Sequence, residues 1–127
     1  MLKQTNTTTA PAAIGPYSQA IAFGGTLFTS GQIPLDPTTM EIVGDNVAAQ
    51  AEQVMKNLGE VLKAGGADFS KVIKTTCFLT DMADFAAFNE VYTKYFTADP
   101  KPARSCVAVR TLPKNVLCEV EAIAALD

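Results

Sequence analysis

The chain contains no histidine and no tryptophan. The missing histidine excludes Ser-His-Asp triads, HExxH zinc sites and His-ligated haem. Acid–base chemistry, if there is any, falls to Asp, Glu, Lys, Tyr, Cys, the main chain or water. Positive charge is scarce as well. Ten Lys and Arg stand against thirteen Asp and Glu, a net charge of −3. That balance argues against a nucleic-acid partner, which usually needs a basic face. No apolar run approaches the roughly 20 residues that cross a bilayer, so no membrane partner is expected. The opening MLKQTNTTTAPAA lacks the charged head and apolar stretch of a secretory signal and the Arg-rich pattern of a transit peptide. The expected compartment is the cytoplasm. Three cysteines, an odd number without a short pairing motif, read as reduced thiols.

What is present describes one globular domain over residues 1–127, with 48% apolar and 18% charged residues. No repeat, linker or low-complexity tract interrupts it. The first sixteen residues read as a polar lead ending in the turn signal Ile14-Gly15-Pro16. Residues 17–23 and 26–33 read as two strands joined at Gly24-Gly25. A loop over 34–43 precedes a helix capped by Asp45 or Asn46 and stopped by Gly65-Gly66. Val47, Ala51, Val54, Leu58, Val61 and Leu62 give that helix one apolar face. Residues 71–80 alternate as a half-buried strand, with Ile73, Cys77 and Leu79 on one side. A second helix after Thr80 or Asp81 carries Phe85, Phe88, Tyr92, Tyr95 and Phe96. Strands over 104–110 and 116–126 close the chain.

The expected order is ββαβαββ, an α+β fold whose mixed sheet bears two helices on one face. Two helices cannot cover both faces. The last strand's other side alternates Leu117, Glu119, Glu121 and Ile123. That mixture suits a subunit interface better than open solvent, so an oligomer is expected.

Several residues are candidates for chemistry. Arg104 opens a strand after Pro102-Ala103, and arginine grips a carboxylate through two parallel hydrogen bonds. Glu119 lies within an apolar run, where a carboxylate is paired, exposed on an outer strand face, or tuned for function. Cys106 shares a strand face with Arg104, but with no histidine to deprotonate it a nucleophilic role is disfavoured. Gly31, inside a strand, marks either a bulge or a close approach to the backbone, and Ser30 beside it offers a hydroxyl. Tyr17 follows a stiff Gly15-Pro16 turn, and Asn89 sits among the second helix's aromatics. Most arginines are solvated and most half-buried tyrosines simply pack, so none of these signals is specific alone.

In combination they resemble a known family. APAAIGPYSQA (residues 10–20) and FTSGQIP (28–34) are similar to the N-terminal hairpin of the RidA (YjgF-like) family. DFAAFNEVY (84–92) resembles its second helix. PARSCVAVRTLP (102–113) followed by EVEAIA (119–124) resembles its C-terminal signature. Cys118 stands where the family usually has an aliphatic residue, and Ala108 and Arg110-Thr111 depart from the common wording of that segment.

The resemblance implies a chorismate-mutase-like α+β fold and a homotrimer with clefts between subunits. It implies hydrolysis of reactive 2-imino acids, such as 2-iminobutanoate and 2-iminopropanoate, to 2-oxo acids and ammonia, with no metal or organic cofactor. Arg104 would bind the substrate carboxylate and Glu119 would position or activate water. Tyr17, Ser30, Gly31, Asn89 and Cys106 would line the cleft, Gly31 and Cys106 partly through their main chain. Two alternatives stay open: a non-catalytic regulatory trimer that binds small carboxylates, and a ribonuclease or translation inhibitor, against which the charge and the missing histidines weigh.

Overall fold

Asn46 starts the longest helix by turning its side chain back onto the backbone. Its Oδ1 accepts from the Ala49 amide at 2.9 Å, satisfying one of the donors that every helix start leaves open. In the computed structural model, which describes residues 1–127, helix α1 spans Val47–Ala64. The expected apolar face is buried, with Val54, Leu58, Val61 and Leu62 all fully inaccessible. Gly65 donates to the carbonyls of Val61 and Leu62. Gly66 adopts φ +94°, a conformation that favours glycine, and the helix stops there.

Six strands form one sheet: β1 (Lys3–Thr5), β2 (Ala20–Phe23), β3 (Thr26–Thr29), β4 (Val72–Leu79), β5 (Ala103–Ala108) and β6 (Cys118–Ala125). Helix α2 (Phe85–Tyr95) lies between β4 and β5. The spatial order is β1-β2-β3-β6-β4-β5. Only β4 and β5 are parallel. The α+β class and mixed sheet match expectation. The order is βββαβαββ, because Lys3–Thr5 pairs with β2 where a polar lead was expected. Three residues are too few to show alternation. The segment behind β1 is tied down by the buried side chain of Gln19, which accepts from the Thr7 amide and donates to the carbonyls of Thr7 and Pro11.

The C-terminal strand β6 is inserted between β3 and β4, so it lies near the centre of the sheet. Cys118, Val120, Ala122 and Ala124 are buried and their neighbours are half-buried, the alternation read from the sequence. Val120 and Leu58 are both 0% exposed within one core cluster, where truncating a large aliphatic side chain costs about 2–5 kcal/mol. The helix-covered face therefore anchors β6 and holds the intervening Glu119 and Glu121 on the opposite face.

Two irregularities shift which side chains point where. Val72 pairs with Ala124 but Lys74 pairs with Ile123, so Ile73 is an extra residue on β4. This bulge turns Ile73 outward (51% exposed), so that Val72 and Thr75, three residues apart, both lie on the buried side with Cys77 and Leu79. Ile73 was expected to face inward with Cys77 and Leu79. A continuous alternation cannot reveal a bulge. The second irregularity lies at Gly31. Phe28 pairs with Ile123, and Gln32 next pairs with Val120. Four steps along one strand match three along the other, so this stretch bulges too. The Thr29 hydroxyl fills the gap by accepting from the Ala122 amide at 3.0 Å.

No helix is long and apolar enough to cross a membrane.

Candidate functional site

Glu119 occupies the middle of the bare sheet face because its strand neighbours Cys118 and Val120 point into the core. Gly31 faces it across the bulge. A methyl group at Gly31 would collide with the Glu119 carboxyl, coming within 2.8 Å of Cδ. The absence of a side chain at 31 is what lets the carboxylate lie against the backbone. Tyr17, Ser30, Gly31 and Glu119 line one open cavity of about 560 Å³, together with Ile14, Ile33, Pro113, Lys114 and Glu121. Ser30 donates its hydroxyl to the Ser18 carbonyl at 2.6 Å, leaving its oxygen lone pairs to any ligand. Tyr17 is about half exposed at the mouth, held by a tight turn in which its amide donates to the Gly15 carbonyl.

Burial pushes the Glu119 carboxyl above the ordinary glutamate value, and repulsion from Glu121 on the same strand face adds to it. No donor or cation contributes in the opposite direction. A glutamate in this state is a stronger base than a solvated one.

Arg104 lies elsewhere. On the edge strand β5 it is in register with Thr75, whose side chain is buried on the helix side. Glu119 is in register with Phe78 on the other face. The guanidinium donates from Nη1 to Oδ1 of Asn89 at 2.6 Å. It also lies over the Tyr92 ring, 4.6 Å from its centroid. Asn89 and Arg104 share a second cavity of about 390 Å³ with Tyr92, Thr93, Phe96, Lys101 and Pro102. Within one protomer, then, the candidate residues form two clusters on opposite faces, with Arg104 and Glu119 two inter-strand spacings of about 4.8 Å each apart across the sheet and three residues apart along β4.

Cys106 is half-buried on the Arg104 side and lines neither cavity. Burial raises its thiol pKa, partly offset by Arg104. Burial pushes Cys77 and Cys118 to about 12. All three are free thiols, and protonated thiols are poor nucleophiles. No group of three or more His, Cys, Asp or Glu side chains is placed to hold a metal ion.

Three neighbours were not singled out from the sequence: Lys114, Glu121 and Tyr92. Lys114 and Asn115 both have φ 57°, a left-handed pair that the Pro-Lys-Asn stretch does not advertise. Glu121 was legible as the residue two places along the Glu119 face. Tyr92 was legible only as part of an aromatic helix side.

Comparison with known proteins places these features in a family. The model described as Endoribonuclease L-PSP matches residues 7–126. A RutC family protein of Synechocystis is 55% identical over 98% of this chain and 97% of its own length. A mouse protein named 2-iminobutanoate/2-iminopropanoate deaminase is 50% identical over 96% of this chain and 90% of its own. The crystal structure of Escherichia coli TdcF with bound serine superposes with a TM-score of 0.91 at 46% identity, covering 98% of this chain and 99% of that one. With sequence and fold agreeing over almost the whole length, the chain belongs to the RidA (YjgF-like) family of chorismate-mutase-like α+β proteins.

Proposed function

We propose that this protein hydrolyses small 2-imino acids to 2-oxo acids and ammonia, in clefts formed between copies of the chain. The observation that carries the reading is Glu119: a carboxylate with a raised pKa, lying against a glycine backbone in an open cavity. The mouse relative's name states the same chemistry for that protein.

In the reaction, Arg104 pairs with the substrate carboxylate and fixes the imine carbon in place. Glu119 accepts a proton from water as the water oxygen bonds to that carbon. The C=N double bond becomes a C–N single bond in a tetrahedral carbinolamine. The proton held by Glu119 passes to nitrogen. Glu119 then takes the carbinolamine hydroxyl proton and delivers it to the same nitrogen as the C–N bond breaks, so ammonia leaves and the carbonyl forms. One water enters for each ammonia released, and nothing is oxidised or reduced. Turnover of 2-iminobutanoate, generated in a coupled assay, tests the reading. A purified protein that leaves the uncatalysed rate unchanged would refute it.

The geometry also sets a condition. A substrate of this size cannot touch Arg104 and Glu119 of one protomer, because they lie on opposite faces of the sheet. The site requires the Arg104 side of one copy to meet the Glu119 side of another. The bare face offers Phe28 and Val107, each 45% exposed, as apolar surface for that contact. A homotrimer provides three such clefts. Light scattering at micromolar concentration is expected to give close to three times the 13.4 kDa protomer mass. A stable monomer would remove the shared site.

Cysteine chemistry has no part in this scheme. Cys106→Ser is expected to keep hydrolysis within about threefold of wild type, since only the main chain at 106 is asked to contact substrate. A loss of several orders of magnitude in a folded variant would assign the thiol a direct role.

A further inference from the structure

Phe85, Asn89 and Tyr92 are four and three residues apart on α2, so they share one helix face. All three meet a single guanidinium. Asn89 Oδ1 accepts from Arg104 Nη1 at 2.6 Å. The guanidinium carbon is 4.6 Å from the Tyr92 ring centroid and 5.4 Å from that of Phe85. Tyr92 is itself immobilised. Its hydroxyl shares a buried 2.8 Å hydrogen bond with Thr75 Oγ1, and its ring stacks on Phe96 at 4.4 Å. Thr75 is the register partner of Arg104 on the adjoining strand, so one sheet position and one helix face converge on the same group.

We propose that the Phe85–Asn89–Tyr92 stripe is a guanidinium seat, and that Asn89 and Tyr92 are positioning residues acting on substrate only through Arg104. This rests on the reading of Arg104 as the carboxylate anchor. An arginine on an exposed edge strand has many rotamers, and ordering it during binding costs affinity. A preformed seat removes that cost by fixing the guanidinium plane before substrate arrives. The choice of asparagine follows from charge. Arginine offers only donors, so the amide oxygen must face it. A neutral acceptor orients the guanidinium and leaves its charge for the incoming carboxylate. An aspartate there would act as a built-in competitor for the same fork. This assignment commits the Asn89 oxygen to Arg104.

The seat predicts more than a loss on mutation. Arg104→Ala vacates it, so free guanidinium at a low, non-denaturing concentration should bind there. The expected result is a saturable shift of the Asn89 side-chain amide signals in the NMR spectrum of Arg104→Ala. It comes with recovery of hydrolysis by about tenfold or more, which ammonium does not reproduce. Adding Asn89→Ala or Tyr92→Leu to Arg104→Ala should abolish the recovery. With Arg104 present, Asn89→Asp should raise KM about tenfold with kcat nearly unchanged. A purely packing role for these residues predicts neither the guanidinium effect nor the aspartate penalty. If the Asn89 signals stay unmoved in a folded Arg104→Ala protein, the seat is wrong. If they shift but Arg104→Ala hydrolyses imine like wild type, the seat stands and the anchoring role of Arg104 falls.

Discussion

Replacing Arg104 by alanine is expected to lower kcat/KM for 2-iminobutanoate by about two to four powers of ten, close to the uncatalysed background. The magnitude follows from the bonds removed. A bidentate arginine–carboxylate pair supplies two charge-assisted hydrogen bonds, each worth roughly 1.5–3 kcal/mol. Without them the imine carbon is no better placed than in bulk water. Arg104→Lys keeps the charge but not the planar fork, so it should fall between wild type and alanine. It would also lose the flat cation that lies over Tyr92. Stability should change little, because Arg104 is exposed on the edge strand and lies outside the core cluster. Thermal unfolding alongside single-turnover kinetics separates the two effects. An Arg104→Ala protein within tenfold of wild type would show that the carboxylate is held by another group.

How far the sequence disclosed this arrangement depended on whether a feature is local. The α1 face, the Asn46 cap and the glycine stop follow from residues within one helix, and they were legible. The β6 alternation was equally local. Ile73 was not, because a bulge is a property of two strands in register, and only one of them is being read. The same limit explains the site. Parity along a strand shows that Arg104 and Cys106 share a side, and that Glu119 and Glu121 do. It cannot show that the two pairs lie on opposite faces, since that depends on Thr75 matching Arg104 and Phe78 matching Glu119. Gly31 was legible as a bulge or a close approach, and it is both. What approaches it, the Glu119 carboxyl, comes from nearly ninety positions downstream, beyond the reach of any local pattern. The grouping of Tyr17, Ser30 and Glu119 came from family resemblance. Lys114 and the support of Arg104 by Tyr92 came only from the structure.

Glu119→Gln should separate chemistry from binding. Glutamine keeps the size and the contact with Gly31 but takes up no proton near neutral pH. Turnover is expected to fall by roughly two to four powers of ten, the range over which a positioned general base acts. Affinity for 2-oxobutanoate, a stable analogue with the same carboxylate, should remain nearly unchanged, because that group is Arg104's. The pH dependence follows from the same carboxyl. Only ionised Glu119 can accept the proton, so activity should drop as pH falls through its pKa. Burial places that pKa above the ordinary 4.5, with Glu121 raising it further. The acid limb of the kcat profile should therefore lie above pH 4.5 in wild type and be absent from the residual activity of Glu119→Gln. Glu121→Gln removes the repulsion but not the burial, so its acid limb should move toward lower pH without disappearing. Gly31→Ala offers a geometric check, since the added methyl group must push the carboxyl off its place and cost turnover with Glu119 still present. Were Glu119→Gln to turn over imine at the wild-type rate, with the acid limb in place, Glu119 would be a structural carboxylate. The cleft would then act by holding the substrate, with the attacking water drawn from solvent.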